Sequence, residues 1–431
     1  MLVDGAVEQR LDLRVDPFFD RISLLPSDRG LDLLRIAAGV YAIDRIQRRN
    51  FRKGGFGVRC LAVKIEVRQP DFWMAPAVVE QLEQIQALLT GDMWSFTFEA
   101  ISACSQGDEH QGRLEWPVDQ TVDRIALYSG GLDSAAGLAH RLIHGNDRYG
   151  LLTVRHQAGL KSLCEGQISA IQNLLGSAEI PTASVVAGLR KGKAVRLSLQ
   201  ERTQRTRTFF FCALAAIMAR AHSVKDVDVF ENGVGAINFP LMTGMMMGAF
   251  ATKGSHPTFL REMSSFCSNI LDSEVSFHLP FGGMTKGEIL KSLLGHGLDG
   301  WLSSSRSCVH TSMRVKGIQH CGVCPACIER RQAFAVAGIE DETAYQVDVF
   351  SNPPNSGTEA AYFRLYREEA AAWIATRPSA LRRMGWHLRL TNVPADQREQ
   401  VEALWMRHSQ EVIEVFGDAP AGALVRTKAA A

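Results

Sequence analysis

The run Arg124-Ile125-Ala126-Leu127-Tyr128-Ser129-Gly130-Gly131-Leu132-Asp133-Ser134 decides the fold. It starts as a short apolar strand, turns through a glycine pair, and enters a stretch with helical spacing of Leu and Ala, Leu132 to His144. A loop between a strand and a helix collects backbone N–H groups and the positive end of the helix dipole at one point. Gly130 and Gly131 carry no Cβ, so the backbone there can approach an anion closely. Ser129 and Ser134 add hydroxyl donors, and Asp133 is placed to cap the helix or to help hold Mg²⁺. The segment Ser129-Gly130-Gly131-Leu132-Asp133-Ser134 therefore reads as a phosphate or pyrophosphate site. It is neither a Walker A loop nor a GxGxxG fingerprint. A superficial Walker-like string, Gly188 to Ala194, has one residue too few between its glycines and Ala194 where Ser or Thr is needed.

Outward from this loop, residues 121–345 alternate strand-like and helix-like stretches. Tyr149 to His156, Thr182 to Ala187 and Val227 to Glu231 are strand-like; Cys164 to Leu175, Arg202 to His222 and Thr285 to Leu294 are helix-like. This alternation predicts βαβ units, hence an α/β fold with a doubly wound parallel sheet covered on both faces. In such a sheet the ligand lies beyond the carboxyl ends of the strands. The flanks read differently. Residues 1–120 form an α+β accessory region with helix-like Leu31 to Arg48 and Val78 to Leu89, and strand-like Val58 to Val67 and Trp94 to Ile101. Residues 346–431 form a helical extension after a turn cluster at Asn352 to Gly357, with helix-like Glu359 to Thr376 and Ala395 to Phe416.

With 431 residues, 46% hydrophobic and 22% charged, the chain can bury a sizeable core divided among two or three domains. A formal net charge of +1 provides no global field to attract nucleic acid or a membrane. The longest apolar run, Phe209 to Ala219, is well short of the roughly 20 residues that span a bilayer, and the opening residues lack the apolar core of a secretory signal. A cytoplasmic location is the expectation. Four of the nine cysteines crowd into 308–327. Cys308, Cys321, Cys324 and Cys327 have the ligand types and spacing of a closed, structural tetrahedral Zn²⁺ site, with His310 and His320 near enough in sequence to replace one thiolate. An iron–sulfur cluster is the competing metal assignment. Cys60, Cys104, Cys164, Cys212 and Cys267 are scattered and read as small buried hydrophobes.

Ser129 to Ser134 resembles the SGGxDS signature of the PP-loop ATP pyrophosphatases, and His320-Cys321-Gly322-Val323-Cys324-Pro325-Ala326-Cys327-Ile328-Glu329-Arg330-Arg331, with Phe334 and the preceding Ser307-Cys308, is similar to the ending of the QueC family of 7-cyano-7-deazaguanine synthases. The resemblance covers about 121–345. It implies ATP, Mg²⁺ and Zn²⁺ as cofactors, and adenylation of a 7-deazaguanine-type carboxylate, with release of pyrophosphate and attack by a nitrogen nucleophile. It places His156 and Gln157 near the nucleotide, where the family has Gly-Gln. It places Arg207, where the family has Arg-Asn, at phosphate or substrate, places Lys286 near the ATP site, and makes Asp133 and Ser134 part of the catalytic loop. Glu231-Asn232-Gly233 follows a strand and can face substrate. The family's Tyr-Pro-Asp-Cys segment is replaced by Asn238-Phe239-Pro240-Leu241-Met242-Thr243, which bears on the substrate and leaves the ATP chemistry untouched. The added flanks resemble those of QueC-like components of bacterial anti-phage operons of the Qat type. That likeness implies a partner protein of the same operon as acceptor. The alternatives are a stand-alone synthase of queuosine biosynthesis using ammonia, and a nucleotide-binding scaffold without turnover. The family resemblance also favours a homodimer.

Overall fold

A computed structural model of the chain describes residues 2–3, 7–8, 11–14, 26–49, 58–101, 121–155, 159–189, 201, 205–239, 253–310, 318–375, 390 and 393–417. His156, Gln157, Cys104 and Pro240 to Thr243 lie outside the described residues. The chain forms two compact units, Met1–Met284 with Asn392–Pro394 and Thr285–Thr391 with Ala395–Ala431. These units follow packing, whereas the three sequence segments follow motif and composition.

In the first unit the strands are β1 (Leu2–Val3), β2 (Val7–Glu8), β3 (Leu11–Arg14), β4 (Cys60–Val67), β5 (Met93–Ala100), β6 (Arg124–Leu127), β7 (Tyr149–Arg155), β8 (Thr182–Leu189), β9 (Asp226–Val229) and β10 (Ser276–His278). The helices are α1 (Asp28–Ile46), α2 (Pro70–Trp73), α3 (Pro76–Thr90), α4 (Leu132–His144), α5 (Leu160–Leu175), α6 (Arg207–Ala221), α7 (Gly233–Ile237) and α8 (Pro257–Leu271). The main sheet has the order β10-β9-β6-β7-β8-β3, and its first five strands are parallel. The expected parallel sheet is there, with one difference: β3 of the accessory region adds an antiparallel edge, Leu11 opposite Leu189. Leu11 to Arg14 alternates apolar and charged residues, the shortest run that reads as a strand, and nothing local names β8 as its distant antiparallel partner.

The strand order turns outward in both directions from β6 and β9, which are themselves neighbours. That reversal opens a crevice at their carboxyl ends. Arg124 and Tyr149, the first residues of β6 and β7, both reach Asp228 of β9: Arg124 Nη2 pairs with Asp228 Oδ1 at 2.7 Å and Tyr149 O–H donates to Asp228 Oδ2 at 2.7 Å. A fully buried carboxylate thereby ties β6, β7 and β9 together.

Helix α6 is buried on nearly every side, from Phe209 and Phe210 through Cys212 to Ala219. A helix apolar all round needs neighbours all round. One side meets β6 and β9, and the other meets α1 of the accessory region. Tyr41 of α1 stacks on Phe210 with ring centroids 6.0 Å apart. Strands β4 and β5 form a separate two-stranded parallel sheet whose alternate residues, Leu61, Val63, Ile65 and Val67 in β4, enter the same core as α1, α3, α6 and α8. The accessory region is thus an added layer over the helices on one face of the sheet, continuous with its core.

The second unit contains α9 (Lys286–Lys291), α10 (Asp299–Ser303), α11 (Pro325–Ala337), α12 (Gly357–Ala375) and α13 (Arg398–Phe416). Here α9 packs on α11, and α12 and α13 pack on each other and on α11. No helix among the described residues is long and apolar enough to cross a membrane.

Candidate active site and metal centre

The glycine loop leaves β6 at the crevice. Tyr128, the last residue before it, is buried; its N–H donates to Leu152 O at 2.9 Å and its phenol to Gln167 Oε1 at 2.9 Å. Burial raises the Tyr128 pKa far above the phenol range, so it acts here as a neutral donor. Gly130 has φ +73°, and a Cβ there would stand 3.0 Å from Leu163 Cδ2 and 3.2 Å from Cys164 Sγ. Conformation and closeness to α5 both require glycine at this point. Gly131 is the N-cap of α4 and provides no side-chain cap; Leu132, buried, is the first helical residue. Asp133 therefore does not cap the helix, contrary to one of its two expected roles, because it sits one residue inside the first turn. Its carboxylate accepts from Asn232 Nδ2 at 2.8 Å. Ser134 is buried and donates to Gly131 O at 3.0 Å; its Oγ also lies 3.1 Å from Ser129 Oγ. The hydroxyl of Ser129 in turn accepts from Gly131 N–H at 3.3 Å. The two serines brace the turn.

Arg207 opens α6, the helix that leads from β8 back to β9, so it belongs to the ligand edge of the sheet. It is half-buried, and its guanidinium lies 5.7 Å from the Phe211 ring centroid. Burial lowers its pKa, and the neighbouring Arg45 acts in the same sense. A partly desolvated guanidinium on this edge has the chemistry to take an anion.

Lys286 belongs to the second unit. It is the first residue of α9, behind a capping box in which Thr285 and Glu288 exchange bonds. It is not an exposed helix lysine: its side chain is 13% accessible and Nζ lies 3.6 Å from Glu329 Oε2. Tyr362 of α12 donates to the other oxygen of Glu329 at 3.3 Å. The helical extension thus contributes to the surroundings of Lys286, a link that no local pattern revealed.

The four cysteines meet with all four Sγ atoms within 4.8 Å of one another. A tetrahedron with Zn–S of about 2.3 Å has sulfur–sulfur edges of about 3.8 Å, and Cys321 Sγ lies 4.0 Å from Cys327 Sγ. The donor set fits one ion; a multi-iron cluster, which distributes thiolates over several irons, needs a wider spread. Cys324 is the N-cap of α11 with Pro325 next. Its N–H donates to Cys321 Sγ at 3.3 Å, and Cys321 N–H donates to Cys308 Sγ at 3.5 Å. Donation from neighbouring thiols pulls the Cys308 pKa well down, and the negative charge gathered there pushes Cys324 and Cys327 up. A dication held by the four thiolates would offset that repulsion. Gly322, φ +85°, faces Val347 O, which a Cβ would overlap at 1.7 Å. His320 does not join the thiols: its Nε2 accepts from Ser307 N–H at 3.1 Å. Among the scattered cysteines, Cys164, Cys212 and Cys267 are buried as expected; Cys60, at the start of β4, is exposed instead.

A doubly wound sheet with an SGGLDS loop at its switch point, in a chain with a four-cysteine centre, defines a nucleotide-binding PP-loop protein. The family model described as "Queuosine biosynthesis protein QueC" matches residues 123–338, half of the chain, and the chain belongs to this QueC family. It is similar to "7-cyano-7-deazaguanine synthase 1" of Mesorhizobium japonicum, 24% identical over 241 residues that cover 52% of this chain and 94% of that protein. It is similar also to the 7-cyano-7-deazaguanine synthase of Methylobacillus flagellatus, 25% identical over 234 residues, 51% of this chain and 95% of that protein. The synthase of Cupriavidus taiwanensis is 26% identical over 246 residues, covering 52% and 98% respectively.

Proposed function

We propose that the chain activates the carboxylate of a 7-deazaguanine-type substrate with ATP. A carboxylate oxygen attacks the α-phosphorus, the α–β phosphoanhydride bond breaks, and pyrophosphate leaves. A nitrogen nucleophile then attacks the activated carbon, loses a proton, and AMP departs. The observation that carries this reading is the SGGLDS loop at the carboxyl end of β6, beside the strand reversal. Family membership supports the substrate class.

In this reading the loop from Ser129 to Ser134 cradles the phosphates, and Arg207 and Lys286 take anionic groups. Mg²⁺ binds through one or two carboxylates together with substrate phosphates; Asp133 is a carboxylate of the required type, and bound Mg²⁺ would offset phosphate charge. The four thiolates hold one Zn²⁺ in a closed site with a structural role. Catalysis draws on positioning more than on protein acids and bases, because the adenylate itself carries the activation.

The nitrogen nucleophile we propose is an amine of a partner protein encoded nearby, in an anti-phage system of the cytoplasm. What supports this is the chain beyond residues 123–338, since about half of it already accounts for 94–98% of the compared synthases. The test is incubation with ATP, Mg²⁺ and 7-carboxy-7-deazaguanine, with ammonia or with the neighbouring gene products, read by mass spectrometry. Pyrophosphate with a mass-shifted protein supports the whole proposal. Free amide from ammonia alone, or free nitrile after a second ATP adenylates the amide oxygen and that oxygen leaves with AMP, replaces the acceptor, and no pyrophosphate under any condition rejects the activation chemistry.

A further inference from the structure

The loops that leave β6 and β9 lie on the two sides of the switch-point crevice, and one buried side chain joins them. Asn232, 2% accessible, follows β9 and precedes α7. Its Nδ2 donates to Asp133 Oδ1 at 2.8 Å, across 99 residues of sequence, and to Glu231 Oε1 at 3.0 Å. Its Oδ1 accepts from Gly235 N–H at 2.9 Å as the N-cap of α7. The amide orientation is fixed by these partners, because a reversed group would point its oxygen at two carboxylates. Gly235 leaves room for this arrangement: a Cβ there would lie 2.4 Å from Glu231 Oε1.

We infer that Asn232 is a positioning residue, whose single NH₂ holds Asp133 and Glu231 together at the charged end of a nucleoside triphosphate. This rests on the reading of the loop as the ATP site. Two carboxylates brought so close repel each other unless a shared donor fixes them. The amide supplies that donor without adding charge, and it locks the first turn of α4 to the strand across the crevice. Glu231 enters the site through this bond, as a second carboxylate beside that of Asp133.

Asn232→Asp separates the two roles of the side chain. It keeps an oxygen for the Gly235 N–H, so α7 stays capped, and loses the donor to Asp133. The expected result is a kcat for pyrophosphate release lower by about a hundredfold, with a much smaller change in KM for ATP. The introduced carboxyl faces Asp133 and Glu231, so it takes up a proton first and regains a donor; activity should recover as pH falls from about 8 to about 6. Asn232→Ala should show no such recovery. Hydrogen exchange of the amides from Ser129 to Ser134 gives a readout independent of turnover, and should quicken at least about tenfold in both variants. Unchanged exchange overturns the inference, and so does quickened exchange with wild-type kcat. Quickened exchange in a chain whose wild type releases no pyrophosphate supports the clamp and rejects the ATP reading instead.

Discussion

Asp44 of the accessory helix α1 accepts both the N–H and the hydroxyl of Thr206, each at 3.1 Å, one residue before Arg207 opens α6. The carboxylate is fully buried and also meets Arg59 Nη2 at 2.6 Å. Arg59 and Arg49 share Asp92 at 2.5 Å each. Arg205 Nη1 reaches Thr90 O at 2.6 Å, and Arg49 N–H reaches Glu201 Oε2 at 2.9 Å. This network joins the accessory layer to the start of the helix that carries a proposed site residue.

Removing one member of a buried ionic network leaves the others without their counter-charge, at a cost of about 3–5 kcal/mol. Asp44→Asn should therefore lower the urea midpoint sharply, and at concentrations where it remains folded should raise KM for ATP by displacing Arg207. Wild-type stability in this variant would show that the network does not tie the accessory layer to α6.

The two chemical motifs were legible because each is nearly contiguous: the loop needs six residues in order, and three of the cysteines lie in one turn and the start of a helix. Helix α6 was legible as apolar, but the reason for its apolarity, α1 on its far side, depends on packing between distant segments. Strand β10 gave no clear signal, since three residues make no period; α8, by contrast, carries Phe259, Leu260, Met263, Phe266, Cys267, Ile270 and Leu271 at helical spacing behind Pro257, a signal that was there to be read. The Asn232–Asp133 bond could be suspected only from an Asn after a strand. Its partner is fixed by the neighbouring of β6 and β9, which no local spacing encodes.

The loop serines and Asp133 allow a test that separates turnover from folding. Asp133→Ala removes a half-buried carboxylate and should abolish pyrophosphate release, with the melting temperature changed by only a few degrees. Ser129→Ala with Ser134→Ala removes a hydroxyl pair 3.1 Å apart and should reduce release by at least about tenfold. Normal pyrophosphate release in either protein would place the ATP site elsewhere.

Gly130→Ala tests the backbone rather than the side chains. Its φ of +73° costs a residue with a Cβ about 1–2 kcal/mol, and that Cβ presses on Leu163 and Cys164. ATP binding, followed by titration calorimetry, should weaken more than stability falls. Unaltered binding would mean that close approach of this backbone to phosphate is not used.

The cysteine centre predicts about one zinc per chain by elemental analysis. Cys324→Ser should lower that ratio together with solubility, and Gly322→Ala should do the same without touching a ligand, because its Cβ would collide with Val347 O. A Gly322→Ala protein with full zinc content would contradict the tight turn.

Glu411 of α13 ties the helical extension to the cap of α9, and its ionisation gives a pH dependence of definite sign. The carboxyl bonds to the Thr285 hydroxyl and accepts from Gln332 Nε2 at 3.2 Å. Burial pushes its pKa from 4.5 up to about 7; the bonds from Thr285 and Gln332 oppose the rise, and the nearby Glu288 adds to it. A carboxyl with a raised folded-state pKa binds its proton more tightly in the folded protein. Its contribution is therefore most favourable below about pH 4.5 and is lost as pH rises through about 7, with no further change above. The span corresponds to about 3 kcal/mol. Glu411→Gln keeps a neutral group in the same place and removes this slope. The stability of the variant relative to wild type, followed by urea unfolding, should rise between about pH 5 and about pH 8. Parallel pH curves for the two proteins would mean that Glu411 is already ionised in the fold at pH 5, and that burial against α9 is offset by its hydrogen bonds.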